Sequence, residues 1–121
     1  MRILVADDVE DTRYLLKLLL EMKGHSVFEA VNGEEAVECA LKELPDLILM
    51  DLNMPVMDGL AAARCLRQHA ETSRIPIVAL SAHMDDSLWR ERALGCGCNE
   101  CYAKPLDFEG LDQMLKAAVT H

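Results

Sequence analysis

The 121-residue sequence predicts an α/β fold: a doubly wound, five-stranded parallel sheet with helices on both faces. Two observations predict it. Short, wholly apolar runs such as Ile3–Ala6 and Leu47–Met50 are typical of strands that are buried on both faces. Stretches with apolar residues at helical spacing follow these runs, so strand and helix alternate about five times along the chain. No linker or repeat interrupts the pattern, and we expect one domain spanning residues 1–121.

The first half of the chain contains three of the predicted strands, Ile3–Ala6, Ser26–Ala30 and Leu47–Met50. Gly24 is expected just beyond the end of the first helix. The i, i+3, i+4, i+7 spacing predicts that this helix buries Leu15, Leu18, Leu19 and Met22.

A turn is predicted at Asn32–Gly33, because this dipeptide favours tight turns. The second helix follows, and Pro45 is expected to end it. Its predicted buried face consists of Ala36, Val37, Ala40, Leu41 and Leu44.

The second half begins with a helix whose predicted buried face is rich in small residues, namely Gly59, Ala62, Ala63 and Leu66. Ile75–Leu80 and Cys101–Ala103 are the predicted fourth and fifth strands, and Pro76 is tolerable near the start of the fourth. Between them we expect a helix capped within Asp85–Ser87 that ends at Gly95 or Gly97. Asp107 is expected to cap the last helix, whose predicted face is Phe108, Leu111, Leu115 and Ala118.

Composition excludes several classes of protein. A net charge of −9 makes nucleic acid an unsuitable direct partner. No apolar run approaches the roughly 18 residues of a membrane span, and the first residues lack the features of a signal peptide. Five cysteines, an odd number, predict free thiols in a reducing cytoplasm.

Polar residues follow four of the predicted strands. Asp7-Asp8 follow the first, Asp51 the third, Ser81 the fourth and Lys104 the fifth. Each alone is an ordinary turn or cap residue. Together they are significant, because the carboxyl ends of parallel strands meet at one edge of the sheet, where ligands bind.

The chemistry of these groups predicts a site for a metal ion and a phosphoryl group. Three carboxylates at one edge repel each other unless a hard cation such as Mg²⁺ or Mn²⁺ lies among them. An ammonium and a hydroxyl, from Lys104 and Ser81, suit the oxygens of a phosphoryl group. Because a carboxylate can itself attack phosphorus, Asp51 is the candidate nucleophile.

The sequence resembles the receiver domain of two-component response regulators over essentially its full length. The residues that carry the resemblance are Asp7-Asp8, Asp51, Asn53-Met54-Pro55, Met57-Asp58-Gly59, Ser81-Ala82 and Lys104-Pro105. The resemblance implies a flavodoxin-like sheet with strand order 2-1-3-4-5.

The resemblance also implies a role for each acidic residue. Asp51 is the implied phosphoacceptor. Asp8, Asp51 and the backbone carbonyl of Asn53 are implied to bind Mg²⁺ directly, and Asp7 largely through water. Lys104 is implied to hold the phosphoryl group, and its peptide bond to Pro105 to be cis.

The implied function is signalling rather than metabolic catalysis. The phosphoryl donor would be a sensor histidine kinase or a histidine phosphotransfer protein. Ser81 would then reorient towards the phosphoryl group, and binding of a downstream protein partner would change. The acyl phosphate would later hydrolyse at the same site. The sequence leaves open whether the domain acts alone or belongs to a longer protein.

One position departs from the family pattern. An aromatic residue usually lies three positions before the lysine, where this chain has Cys101, and Tyr102 follows one position later. Strand alternation predicts that Tyr102 packs on the opposite face from Cys101. We therefore expect the surface of the fourth helix, fifth strand and fifth helix to respond through backbone shifts around residues 81–83.

A zinc site and three other functions are less well supported. Cys96, Cys98 and Cys101 supply three of the four ligands that structural zinc needs, and His83 is an unsupported fourth, so we expect packed thiols. A haloacid dehalogenase-type phosphohydrolase needs a second acid where Asn53 stands. In a flavin-binding module, Asp7-Asp8 would repel the phosphate. A docking module that is never phosphorylated leaves the set of site residues unexplained.

Overall fold

The computed structural model describes residues 1–82, 87–104 and 108–119, and these form five strands that alternate with five helices. The strands are β1 (Arg2–Ala6), β2 (Ser26–Ala30), β3 (Leu47–Asp51), β4 (Ile77–Ser81) and β5 (Glu100–Ala103). The helices are α1 (Glu10–Met22), α2 (Gly33–Glu43), α3 (Gly59–Gln68), α4 (Ser87–Gly95) and α5 (Phe108–Val119). The strands pair in parallel in the order β2-β1-β3-β4-β5, which confirms the predicted doubly wound, flavodoxin-like fold.

Both faces of the sheet are covered. One face packs against α1 and α5, and its core includes Ile3, Val5, Leu49, Leu80, Leu20 and Leu111. The other packs against α2, α3 and α4, and its core includes Leu4, Ile48, Met50, Ala79, Leu66 and Ala93. Burial on both faces is why the strand sequences are continuous apolar runs rather than alternating ones. No helix in the described ranges is long and apolar enough to cross a membrane.

The predicted buried face of α1 is wrong for three of its four residues, and only Leu19 packs, partly buried, against the core. Leu16 and Leu20 are its buried residues. Leu15, Leu18 and Met22 are 50%, 43% and 69% exposed, respectively. The helix is so rich in leucine that two overlapping faces both have helical spacing, and packing against α5 and the sheet selects one of them.

Helix α2 ends before Pro45 as predicted, but the roles of two residues at its ends differ from the prediction. Asn32 does not form a turn but caps the helix, because its side chain accepts a hydrogen bond of 2.8 Å from the backbone N–H of Glu35. Leu44 does not join the buried face. It is the C-cap in a left-handed conformation, with φ 48°, and it is 47% exposed.

The remaining elements lie close to their predicted positions. The small-residue face of α3 is buried as predicted. Asp51 and Ser81 are the last residues of their strands rather than the first residues after them, so strand geometry fixes both side chains. The predicted caps Asp85, Asp86 and Asp107 lie outside the described residues, as do the side chains of Phe108 and Ala118.

Candidate functional site

The three carboxylates predicted from the sequence converge at the carboxyl edge of the sheet. One oxygen each from Asp7, Asp8 and Asp51 lies within 4.8 Å of the others. They meet because β1 and β3 are neighbours and Ala6 pairs with Met50, so Asp7, which follows β1, lies beside Asp51, which ends β3. Asp7 and Asp51 are 1% and 4% exposed, whereas Asp8 is exposed. Two of the three charges are thus almost completely removed from water.

The ammonium group of Lys104 lies between the two buried carboxylates. Its Nζ donates a hydrogen bond of 3.0 Å to Oδ2 of Asp51 and lies 2.8 Å from Oδ2 of Asp7. The second contact is an ion pair, and it is the one partner of the buried Asp7 Oδ2 in the part of the chain that the structure describes. The lysine reaches these groups from the end of β5, across β4. The sequence predicted that Lys104 belongs to the site, but not this bridge.

Backbone amides hold the other oxygens of the two buried carboxylates. Oδ1 of Asp7 accepts a hydrogen bond of 2.9 Å from the N–H of Val9. Oδ1 of Asp51 accepts one of 3.1 Å from the N–H of Asn53. Such bonds from a residue two positions along the chain fix the orientation of each carboxylate.

The electrostatics of the site favour an additional cation. Burial raises the pKa of Asp51, and the Asn53 amide and Lys104 only partly oppose this. Burial by itself lowers the pKa of Lys104, but the contacts with Asp7 and Asp51 outweigh it and the pKa is raised. A single ammonium therefore does not fully compensate the buried carboxylates. The Oδ2 atom of Asp7, a buried oxygen that shares the Lys104 ammonium with Asp51, and the all-oxygen donor set fit Mg²⁺ or Mn²⁺.

Ser81 completes the set of predicted residues. It ends β4, between the strands that supply Asp51 and Lys104, and is fully buried. Its backbone oxygen accepts a hydrogen bond of 3.0 Å from the N–H of Lys104. The fold thus brings all the predicted site residues to one edge. Pro105, with its predicted cis bond, and His83 lie outside the described residues.

Two glycines shape the loop between β3 and α3, and sequence reasoning missed one of them. A Cβ on Gly59 would overlap the backbone oxygen of Asp51. Gly33, at the start of α2, donates a hydrogen bond of 2.8 Å to the backbone oxygen of Met57, and a Cβ there would overlap the same oxygen. Gly33 thereby anchors the loop that carries Asn53. The Asn-Gly dipeptide was the available signal, but it indicated only a turn.

The predicted departure on β5 is confirmed. Cys101 pairs with Ala79 and packs on the face covered by α2, α3 and α4. Tyr102 packs on the opposite face, and its hydroxyl donates a hydrogen bond of 2.9 Å to Glu100. Ser81 follows the alternation of Ala79, so β5 presents no aromatic ring beside it.

The cysteines do not form a zinc site within the described part of the chain. There, the acidic cluster is the one group of histidine, cysteine and acidic side chains that is close enough to hold a metal ion. All five cysteines are free thiols, as predicted.

Comparison with known proteins identifies the family. A family model described as the response regulator receiver domain matches residues 3–116. Protein PilH of Pseudomonas aeruginosa is 38% identical over 120 residues, which cover 98% of this chain and 97% of PilH. Sensor protein EvgS of Escherichia coli is 40% identical over 115 residues, which cover 95% of this chain but only 9% of EvgS.

Solved structures agree. A putative response regulator from Chloroflexus aurantiacus has a TM-score of 0.92 and 32% identity, covering 99% of this chain and 98% of that one. The receiver domain of the sensor histidine kinase PA1611 from Pseudomonas aeruginosa has a TM-score of 0.89 and 31% identity, with coverages of 99% and 98%. That structure has a magnesium ion coordinated in its active-site cleft.

Proposed function

We propose that this chain, which belongs to the family of response regulator receiver domains, accepts a phosphoryl group on Asp51 and switches the binding of a downstream protein. The donor is a phosphohistidine on a sensor histidine kinase or a histidine phosphotransfer protein. One observation carries the proposal: a buried carboxylate at the end of β3 that is held by Lys104 beside Asp7 and Asp8.

The transfer is a nucleophilic substitution at phosphorus. A carboxylate oxygen of Asp51 attacks, the phosphorus–nitrogen bond breaks, and the imidazole leaves with the electron pair. The Lys104 ammonium, which contacts Oδ2 of Asp51, is close enough to neutralise the oxygens of the incoming group. The buried Ser81 hydroxyl at the end of β4 serves as a further hydrogen-bond donor. Water later hydrolyses the acyl phosphate, which ends the signal and restores Asp51.

A divalent cation, Mg²⁺ or Mn²⁺, belongs to this site. The carboxylates of Asp7, Asp8 and Asp51 and the backbone carbonyl of Asn53 would hold it. When bound, it supplies positive charge against the phosphoryl oxygens. Support comes from the cluster of three carboxylates, of which Asp7 and Asp51 share one ammonium, and from the magnesium ion in the related PA1611 receiver domain.

The outer face of α1 is the proposed docking surface for the phosphohistidine protein. Tyr14, Leu15, Leu18 and Met22 are 63%, 50%, 43% and 69% exposed, and α1 begins three residues after Asp7. An exposed apolar stripe that starts beside the acceptor edge is typical of an interaction site. Leu18→Glu should slow transfer from a phosphohistidine protein and leave labelling by acetyl phosphate unchanged. If both donors are affected equally, the stripe is not a docking surface.

Phosphorylation by acetyl phosphate tests the proposed chemistry. In Mg²⁺, intact-mass spectrometry should show one added phosphoryl group that hydroxylamine removes, and EDTA should prevent the addition. Asp51→Asn should abolish it. Asp58→Asn is the matched control, because asparagine can also accept the capping bond that Asp58 receives from Ala61 at 2.8 Å. Labelling of Asp51→Asn at the wild-type rate would disprove the proposal.

A further inference from the structure

The groove between α3 and α4 holds a thiol among cationic side chains. A surface pocket of about 410 Å³ lies there, lined by Asp58, Arg64, Arg92 and Cys96 together with small and apolar residues. The phosphoryl chemistry proposed above uses none of these four side chains.

The charges in this pocket are unevenly balanced. Arg64 donates a hydrogen bond of 3.3 Å to the sulfur of Cys96, and the Arg92 guanidinium lies 5.1 Å from the centre of the Trp89 ring. In the described residues, neither guanidinium forms a salt bridge with a carboxylate. Asp58 is the one carboxylate that lines the pocket as described. A positively charged pocket thus exists in a chain whose net charge is −9.

A second cysteine lies in a pocket that is negatively charged. Cys39 lines a pocket of about 340 Å³ whose other charged residues are Glu29, Glu35, Glu38, Glu43 and Lys42. Glu29 forms salt bridges with Arg13 and Lys17, and Glu43 forms one with Arg2, whereas Glu35 and Glu38 form none within the described residues. The positive charges therefore neutralise only part of this negative charge. The two cysteines therefore lie in pockets of similar size and opposite charge.

We propose that Cys96 forms a mixed disulfide with a small disulfide that carries carboxylates, of the chemical class of glutathione disulfide. Arg64 and Arg92 match two carboxylates, and Asp58 matches an ammonium group. Each half of glutathione disulfide carries this combination of charges. Because Cys96 is 8% exposed and lines the pocket, the reagent reaches its sulfur through the pocket.

The reaction is thiol–disulfide exchange. The Cys96 thiol loses its proton, and the thiolate attacks one sulfur of the disulfide. A bond forms between Cys96 and that sulfur, the original disulfide bond breaks, and the second half leaves as a thiolate that takes up a proton. The reagent is reduced and Cys96 is oxidised, so no other oxidant is needed.

Three disulfides of different charge test the proposal on the full chain. These are anionic glutathione disulfide, neutral hydroxyethyl disulfide and cationic cystamine. Peptide mass spectrometry measures the initial rate at each cysteine. At each cysteine, the rate with a charged reagent is divided by the rate with the neutral reagent. This ratio removes differences between Cys96 and Cys39 in thiol acidity and access. Cys98 should remain inert, because burial raises its pKa to about 12.

The relative rate with glutathione disulfide should be higher at Cys96 than at Cys39, and cystamine should reverse this order. In Arg64→Gln/Arg92→Gln, the glutathione preference at Cys96 should fall about three- to tenfold, as expected for losing two exposed charge pairs. Arg92→Gln alone should cause part of this fall without altering the contact with the sulfur. Arg74→Gln, an exposed charge outside the pocket, is the control.

Three results would overturn the proposal. The first is the same order of reagents at Cys96 and Cys39. The second is a glutathione preference at Cys96 that survives the loss of both arginines. Absence of any Cys96 adduct in the folded chain, when the chain in urea forms one, would also overturn it, because the pocket would then not admit the reagent.

Discussion

Lys104 and Arg67 are both largely enclosed cations, but they are held by opposite kinds of acceptor at opposite ends of the sheet. At the carboxyl edge, Lys104 contacts two carboxylates, those of Asp7 and Asp51. At the other end, the guanidinium of Arg67 donates five hydrogen bonds of 2.7–3.2 Å to uncharged oxygens. Four are backbone oxygens and one is a side-chain amide oxygen, from Gly97, Thr72, Ser73, Ile75 and Asn99.

The difference explains why one end can be a site and the other is structural. Ionised acceptors can exchange one positive partner for another, so the carboxylates around Lys104 can also accept a metal ion. The partly buried carbonyl oxygens around Arg67 need a donor, and leaving them unsatisfied is unfavourable. Arg67 supplies that donor and joins α3 to the segments that lead into β4 and β5. Burial lowers the pKa of Arg67, and in the described residues its guanidinium forms hydrogen bonds but no salt bridge with a carboxylate.

The largest expected effect is that of Arg67→Met. It should lower the free energy of unfolding by about 3 kcal/mol or more, because several acceptors lose their donor together. Neither added Mg²⁺ nor a lower pH should restore the lost stability. Urea unfolding measures it, and Arg64→Met, an exposed arginine of the same helix, is the control with a small expected effect. A loss below about 1 kcal/mol would mean that water readily replaces the guanidinium.

Lys104→Met should cause a smaller loss, about 2 kcal/mol at neutral pH in EDTA, because two buried carboxylates lose a charged partner whose own side chain is 19% exposed. Unlike the loss of stability in Arg67→Met, the loss in Lys104→Met should depend on pH and on Mg²⁺. Burial already raises the pKa of Asp51 above its ordinary value of 3.8. Ionisation of Asp51 therefore lowers the free energy of unfolding as the pH rises above 3.8, and it has no effect at lower pH, where the carboxyl is protonated in both states. The loss should therefore shrink as the pH falls, and it should also shrink when Mg²⁺ is added at neutral pH. A loss independent of both would show that Lys104 is as structural as Arg67.

The smallest effects concern two strained residues, one towards each end of the sheet. Val56, in the loop after β3, and Leu44, before β3, have φ values of 67° and 48°. Changing either to glycine should raise the free energy of unfolding by up to about 1 kcal/mol, and less for Leu44 because it is less exposed. Only Val56→Gly should also weaken Mg²⁺ binding, by a few-fold at most, since it loosens the loop that carries Asn53. Equal effects of both variants on Mg²⁺ affinity would contradict this distinction.

Most of the fold and the membership of the site could be predicted, because both depend on local patterns. Apolar runs located the strands, and the residues that end them, such as Asp51 and Ser81, had to meet at one edge once the sheet was parallel. Features that depend on distant parts of the chain could not be predicted. The contacts of Arg67 with the segments that lead into β4 and β5, and the contact of Gly33 with Met57, leave no periodic signal in the sequence.

The errors in the prediction have the same origin. In α1, local spacing allowed two buried faces, and tertiary packing selected Leu16 and Leu20. At Leu44, the helical pattern continued by one residue beyond the helix, because a left-handed C-cap has no apolar signature. The bridging position of Lys104 also depends on which strands are neighbours.

We infer that the carboxylates around Lys104 can also accept a metal ion. The most direct test is a titration of the isotope-labelled chain with Mg²⁺, followed by NMR. The amides of residues 7–8, 51–53 and 104 should shift together along one saturation curve. The amides of Gly97 and Asn99, beside Arg67, should not move. Shifts largest around Glu35 and Glu38 in the other acidic pocket, with the carboxyl edge unaffected, would contradict the account, because Mg²⁺ would then bind surface acids and not the carboxylates around Lys104.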